Sequence, residues 1–254
     1  MRIIAKTDRG LVRSMNEDSY DYKALSDEFC FAVVCDGMGG HAAGNVASAA
    51  AVEIIAERIF AAHKENPEAE EFSDLLAEAI RDANKEIFEE GMSNESLLGM
   101  GTTVVAVIVK GGTAHISNVG DSRVYCVNEK GIEQLTHDHS YVQTLVDTGH
   151  ISKEEALTHP KRNMITRALG VDASVQVDYM AFSFAKNDAL LLCSDGLTNF
   201  VSDATIADVF RECLENDAFE TYADRLVALA NENGGGDNIT AVVILNDEQG
   251  AGSV

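Results

Sequence analysis

Two β-branched runs, residues 102–109 and 113–119, are joined through Gly111-Gly112. A pair of glycines between strand-like runs marks a two-residue hairpin, because tight hairpin turns need positive φ at both central residues. A second pair of runs, 124–127 and 132–136, flanks Glu129-Lys130-Gly131. Strands that follow one another through such short turns run antiparallel, so βαβ crossovers are not the organising unit. Further strand-like runs cover 29–35, 175–184, 189–193 and 239–245. The helical stripes stand apart from these runs. Small and apolar residues recur at Ala47, Ala50, Ala51, Ile54, Ile55 and Ile59, then at Phe72, Leu75, Leu76, Ala79, Ile80, Ala83 and Ile87. A third stripe, Phe219, Tyr222, Ala223, Leu226 and Leu229, ends before Gly234-Gly235-Gly236. Both the i, i+3, i+4 spacing and the breaks predict helices packed on one face. The predicted class is α+β, with antiparallel sheet layers covered by helices.

Only two prolines occur, and no linker-like stretch divides the 254 residues. One domain over 1–246 is expected, followed by a flexible tail at 247–254. The balance of 19 Lys+Arg against 42 Asp+Glu gives a net charge of −23. Such a surface is repelled by phosphate backbones and anionic lipid, so neither nucleic acid nor a membrane is expected as partner. No apolar run reaches the roughly 18 residues of a membrane span, and the start lacks a signal-peptide core. The five cysteines include no Cys-x-x-Cys pair, and three lie inside apolar runs. They read as small buried hydrophobes of a cytoplasmic protein.

The chemistry lies in where the acids fall. Asp36 ends the run 29–35 and precedes Gly37; Asp195 follows 189–193 and precedes Gly196. Asp121 follows 113–119 through Gly120, Asp237 precedes the run 239–245, and Glu17 and Asp18 follow Arg13 in the first loop. A lone Asp-Gly is most often only a turn. Repeated at the ends of apolar strands, the pattern carries carboxylates to sheet edges. If gathered there, they would repel one another unless a hard divalent cation such as Mg²⁺ or Mn²⁺ intervened. No Cys or His stands at zinc-like spacing.

Six segments carry a resemblance. They are the run from Gly10 through Arg13 and Asn16 to Glu17-Asp18, Cys35-Asp36-Gly37-Met38-Gly39-Gly40-His41, Gly101-Thr102-Thr103, Asn118-Val119-Gly120-Asp121-Ser122-Arg123, Ser194-Asp195-Gly196-Leu197 and Asp237-Asn238-Ile239-Thr240. In this order they resemble the PPM (type 2C) family of metal-dependent serine/threonine protein phosphatases, in its bacterial form, along nearly the whole chain. The resemblance implies a central β-sandwich of two antiparallel sheets flanked by pairs of antiparallel helices, in α-β-β-α layers. It implies two Mn²⁺ or Mg²⁺ ions per active site, bridged by Asp36, with the Gly37 carbonyl on one and Asp195 and Asp237 on the other. Glu17 and Asp18 would act through metal-bound water, and Asp121 with Asp195 would hold a third, weaker ion. Arg13 would clamp the substrate phosphate. His41 is either a general acid to the leaving alkoxide or a helix-entry residue, because Met38 fills the position that a histidine takes in eukaryotic members. Residues 137–170 correspond to a flap beside the cleft, in which Ser152-Lys153-Glu154-Glu155 starts a helix and Arg162 or Arg167 could meet phosphopeptide.

The expected function is hydrolysis of phosphoserine and phosphothreonine in proteins, opposing a cognate Ser/Thr kinase, by a monomer. The alternative is a catalytically weak phosphoprotein-binding regulator of the same fold. A structural calcium module is the third reading, and no EF-hand spacing supports it.

Overall fold

The computed structural model of the chain describes residues 1–26, 28–39 and 43–247. Three strands come first: β1 (Arg2–Asp8), β2 (Asp18–Ala24) and β3 (Phe29–Met38). Two long helices follow, α1 (Ala43–Glu65) and α2 (Ser73–Ser93). Next come the short β4 (Gly101–Thr102), then β5 (Val104–Lys110), β6 (Thr113–Val119), β7 (Arg123–Asn128) and β8 (Gly131–Gln134). The helices α3 (Tyr141–Asp147) and α4 (Lys153–Leu157) lead to β9 (Asp178–Ser183) and β10 (Ala189–Cys193). The chain closes with α5 (Asp195–Thr198), α6 (Asp203–Glu215), α7 (Tyr222–Glu232) and β11 (Ile239–Leu245).

The strands form two antiparallel sheets, ordered β1-β11-β10-β7-β8 and β2-β3-β5-β6-β9, with β4 pairing the end of β3. Gly111 and Gly112 have φ of 55° and 76°, as the hairpin between β5 and β6 requires. Along β3 the period-two alternation sorts side chains between two cores. Phe29, Phe31, Val33 and Cys35 face α1 and α2, whereas Cys30, Ala32 and Val34 face the other sheet. With both faces buried, the strand reads as an unbroken apolar run. On the other side, Leu191, Val243 and Tyr125 pack with Phe210, Tyr222 and Leu226 of α6 and α7. Three apolar layers thus hold four structural layers together, α-β-β-α.

The features not read from the sequence include β1, β2 and α6. Both strands lie at sheet edges, and β2 carries Asp18, Ser19, Asp21 and Lys23 in place of an apolar run. Helix α6 is capped by Ser202, whose hydroxyl accepts from Thr205 N, and buries Ile206, Ala207, Val209, Phe210 and Cys213. The expected start at Ser152 is present as a full capping box with Glu155. All five cysteines are buried and unpaired. Among the described residues no helix is long and apolar enough to cross a membrane.

Candidate active site

The ends of β3, β6 and β10 and the start of β11 converge on one cleft of about 220 Å³. Glu17, Asp36, Asp121, Asp195 and Asp237 line it, together with Arg13, Gly37, Met38, Thr103, Asn163, Ile165 and Asn238. Residues up to 225 positions apart, Arg13 and Asn238, therefore share one opening. Among the described residues no three acidic, histidine or cysteine side chains form a ready-made shell around a single point. The acids face the cleft spread along it, leaving room for backbone oxygens and water in any shell.

Each acid is held by a different device. The main chain of Asp36 is clamped by the 101–103 segment. Thr103 N and Thr102 Oγ1 each donate to Asp36 O at 2.9 Å, and Asp36 N donates to Thr103 Oγ1 at 3.0 Å. Gly37 has no room for a side chain, since a Cβ there would strike the carbonyl oxygens of Gly44 and Glu17. This close approach brings the start of α1 against the β3 end. Asp195 opens α5 and accepts from Asn199 Nδ2 at 2.9 Å.

Asn238 secures the first loop. Its Oδ1 accepts from Glu17 N at 2.8 Å, and its Nδ2 donates to Arg9 O and Met15 O at 2.9 Å each. Ser48 of α1 adds a bond to Glu17 O at 2.6 Å. Arg13, at the mouth of the cleft, donates from Nη2 to Asp237 Oδ2 at 2.8 Å. Asp18 lies deeper and does not line the cleft. Its Oδ2 accepts from Ser194 Oγ and Thr240 Oγ1, both at 2.7 Å, while Oδ1 is buried without a partner.

Crowding of like charges shapes the electrostatics. Burial pushes the Asp18 carboxyl up to about 7, against its two hydroxyl bonds, and the charges of Asp195 and Asp237 add to the rise. Burial and the charges of Asp195 and Asp138 push Asp121 up to about 8. Asp195 rises to about 6, through burial and Asp237. Asp36 goes well above the ordinary range, first through burial and then through Asp18, Asp195, Asp121 and Asp237. An orphaned buried carboxylate oxygen, mutually repelling acids and an all-oxygen donor set fit hard divalent cations.

The sequence matches the Protein phosphatase 2C family over residues 11–230. The chain belongs to the protein phosphatase 2C family. It is 43% identical to the serine/threonine phosphatase stp of Listeria innocua over 242 residues, covering 94% of this chain and 93% of the relative. The structure of the S. agalactiae serine/threonine phosphatase superposes with a TM-score of 0.87 at 36% identity, covering 96% of this chain and 99% of that one. The catalytic domain of the serine threonine protein phosphatase PstP, solved with two manganese ions, superposes with a TM-score of 0.81 at 37% identity, covering 95% and 96% of the two chains. The family is one of metal-dependent protein phosphatases, and this chain is a member with its acids gathered in one cleft.

Not every expected residue reaches the cleft of this phosphatase. Arg162 is exposed and does not line it; its neighbours Asn163 and Ile165 do. Arg167 does not line it either, and donates from Nη1 to Asp178 Oδ1 at 2.7 Å and to Gln176 O at 3.2 Å. Cys35, next to Asp36, is fully buried with its thiol pushed up by burial, so it is a core residue. His41 lies outside the described residues. The clamping roles of Asn238, Ser48 and Thr103 were missed. A lone serine in the alanine-rich stripe of α1 was the available signal for Ser48.

Proposed function

We propose that the chain removes phosphate from phosphoserine and phosphothreonine of other proteins, using divalent ions held by the carboxylates of this cleft. The gathering of Glu17, Asp36, Asp121, Asp195 and Asp237 around one opening, with Arg13 at its mouth, is the observation that supports it most. We assign Asp36, the Gly37 carbonyl, Asp195 and Asp237 to two ions, Mn²⁺ or Mg²⁺, and Glu17 and Asp18 to water bound on them. Asp121 with Asp195 is our assignment for a third, weaker ion. When bound, a pair of such ions supplies an acidified water for attack at phosphorus and offsets charge on the phosphoryl oxygens.

The chain's own residues bind and orient. The Arg13 guanidinium matches two phosphate oxygens, and an incoming phosphate dianion competes with Asp237 for it. The 101–103 clamp keeps Asp36 from shifting as charge develops, so its position needs no rearrangement during reaction. Asn163 and Ile165 also line the cleft, and beside them the exposed Arg162 is our candidate for contacts to the remaining phosphopeptide. His41, by its motif position, is our candidate for protonating the leaving oxygen.

In this reading 1–246 is a single catalytic unit, 137–170 a flap on it and 247–254 a tail. The enzyme acts as a cytoplasmic monomer that opposes a cognate Ser/Thr kinase. A regulator that binds phosphoproteins without turnover is disfavoured by the full complement of cleft acids. The test is hydrolysis of a phosphothreonine peptide with Mn²⁺ and then with excess chelator. Turnover that survives the chelator would remove the metal from the reading.

A further inference from the structure

Asp121 sits in the three-residue turn between β6 and β7, and that turn is gripped from outside by His139. His139 N donates to Gly120 O at 2.9 Å, and Gly120 N donates back to His139 Nδ1 at 3.0 Å. Because Nδ1 accepts, the neutral ring carries its proton on Nε2. That nitrogen lies 3.2 Å from Asp178 Oδ2, at the start of β9, and 3.0 Å from Arg167 Nη1. Arg167 Nη1 holds the other oxygen of the same carboxylate at 2.7 Å.

His139 and Arg167 stand at the two roots of the 137–170 segment. The roots are themselves paired, through a bridge between Ser140 and Ile165, Thr166 N donating to His139 O at 2.8 Å and Tyr141 N donating to Met164 O at 2.7 Å. The next residue after this pairing, Asn163, lines the cleft. A second tie runs alongside. Asp138, almost fully buried, takes two bonds from Arg123 Nε at 3.0 Å and one from Nη2 at 2.6 Å, at the far end of the Asp121 turn.

We propose that His139 is a positioning residue that carries the placement of the 137–170 segment, through Asp178 and Gly120, to the Asp121 carboxylate. The imidazole is a two-ended link. Its Nδ1 end fixes the turn that aims Asp121, and its Nε2 end fixes the ring to the closing root of the segment. Movement of that segment over a bound phosphopeptide then alters how Asp121 is presented to the cleft. The inference rests on the proposed role of Asp121 for its catalytic consequence, but not for the mechanical link itself.

Two variants and two readouts separate these. His139→Gln places an amide near the Nε2 end and leaves Gly120 N without its acceptor; Asp178→Ala keeps the Gly120 bond and removes the carboxylate that both His139 Nε2 and Arg167 face. In the metal-free full chain, amide exchange by mass spectrometry should accelerate over residues 119–122 in both variants, by about tenfold or more. Exchange over 150–165 should accelerate in Asp178→Ala as well, while β5 and β11 stay as protected as before. In the Mn²⁺-loaded enzyme, His139→Gln should lower kcat about 10- to 100-fold, the usual effect of losing a group that orients a ligand, with KM moving less. If Asp178→Ala loosens 150–165 and leaves 119–122 at the wild-type rate, the link does not exist. If kcat falls only in proportion to lost folded protein, His139 is merely structural. Wild-type protein without metal-dependent turnover would instead defeat the proposed function, and the exchange result would stand on its own.

Discussion

Asp18 and Asp36 are direct cross-strand partners, opposite one another in the β2–β3 ladder. Like charges in that position repel and destabilise a sheet. Here burial adds to the repulsion, and Asp121 and Asp195 lie within reach of the same field. The β-sheet that forms this site is therefore most strained where the acids are ionised.

A pH dependence of the metal-free protein follows. Asp18, Asp195 and Asp121 have folded-state values of about 7, about 6 and about 8, above an ordinary carboxyl near 4. Between those limits the folded state binds more protons at these sites than the unfolded state, so their contribution to stability falls as pH rises. It is fully present below about pH 4 and is lost through the folded-state values. Melting of the chelated protein across this range should show these groups lowering stability toward pH 8. Mn²⁺ should flatten the trend and, at 100 times its dissociation constant, add about 2.7 kcal/mol. Melting that ignores Mn²⁺ would contradict the site.

Asp36→Asn and Asp237→Asn should each reduce kcat by more than the roughly hundredfold that loss of a group one shell out produces. Both variants should fold, since each exchange removes a charge from a crowded cluster and keeps the side-chain shape. Steady-state kinetics at saturating Mn²⁺ would test this, and wild-type kcat in either variant would overturn the assigned role.

Arg13→Ala should lower kcat/KM for a phosphopeptide roughly ten- to a hundredfold, corresponding to about 1.5–3 kcal/mol for hydrogen bonds to a charged group. Arg13→Lys should recover only part of this, because an ammonium cannot present two parallel donors. The side chain is half exposed, so melting temperature should barely move. Full recovery by lysine would mean that charge alone matters.

Asn238→Ala should destabilise the fold by about 2–3 kcal/mol, for three lost hydrogen bonds of about 1 kcal/mol each. Its effect should also reach the cleft, because the bonds secure Arg9, Met15 and Glu17 in the loop that carries Arg13. The Mn²⁺ concentration for half-maximal rate should rise. A purely additive loss of stability with unchanged Mn²⁺ dependence would limit Asn238 to the fold.

Much of this architecture was legible before any coordinates. Strands β3, β5, β10 and β11 are buried on both faces, so hydrophobicity alone marks them. The stripes of α1 and α2 needed only one-sided packing. Edge strands β1 and β2 were not legible, because one side of an edge strand lacks a neighbour and its residues need not be apolar. Helix α6 was legible and passed over: Ser202 before Ile206, Val209, Phe210 and Cys213 is a cap followed by a stripe.

The amino-acid order by itself determined which carboxylates end apolar strands and which side chains can enter the three cores, since both depend on local periodicity. Only the tertiary structure decided that Arg13 meets Asp237, that Asn238 ties down the first loop, that Asp18 turns inward to Ser194 and Thr240, and that His139 grips the turn of Asp121. Those pairings depend on strand register and loop closure across many intervening residues. Hydrogen bonds act over about 3 Å, a scale that no pattern along the chain specifies.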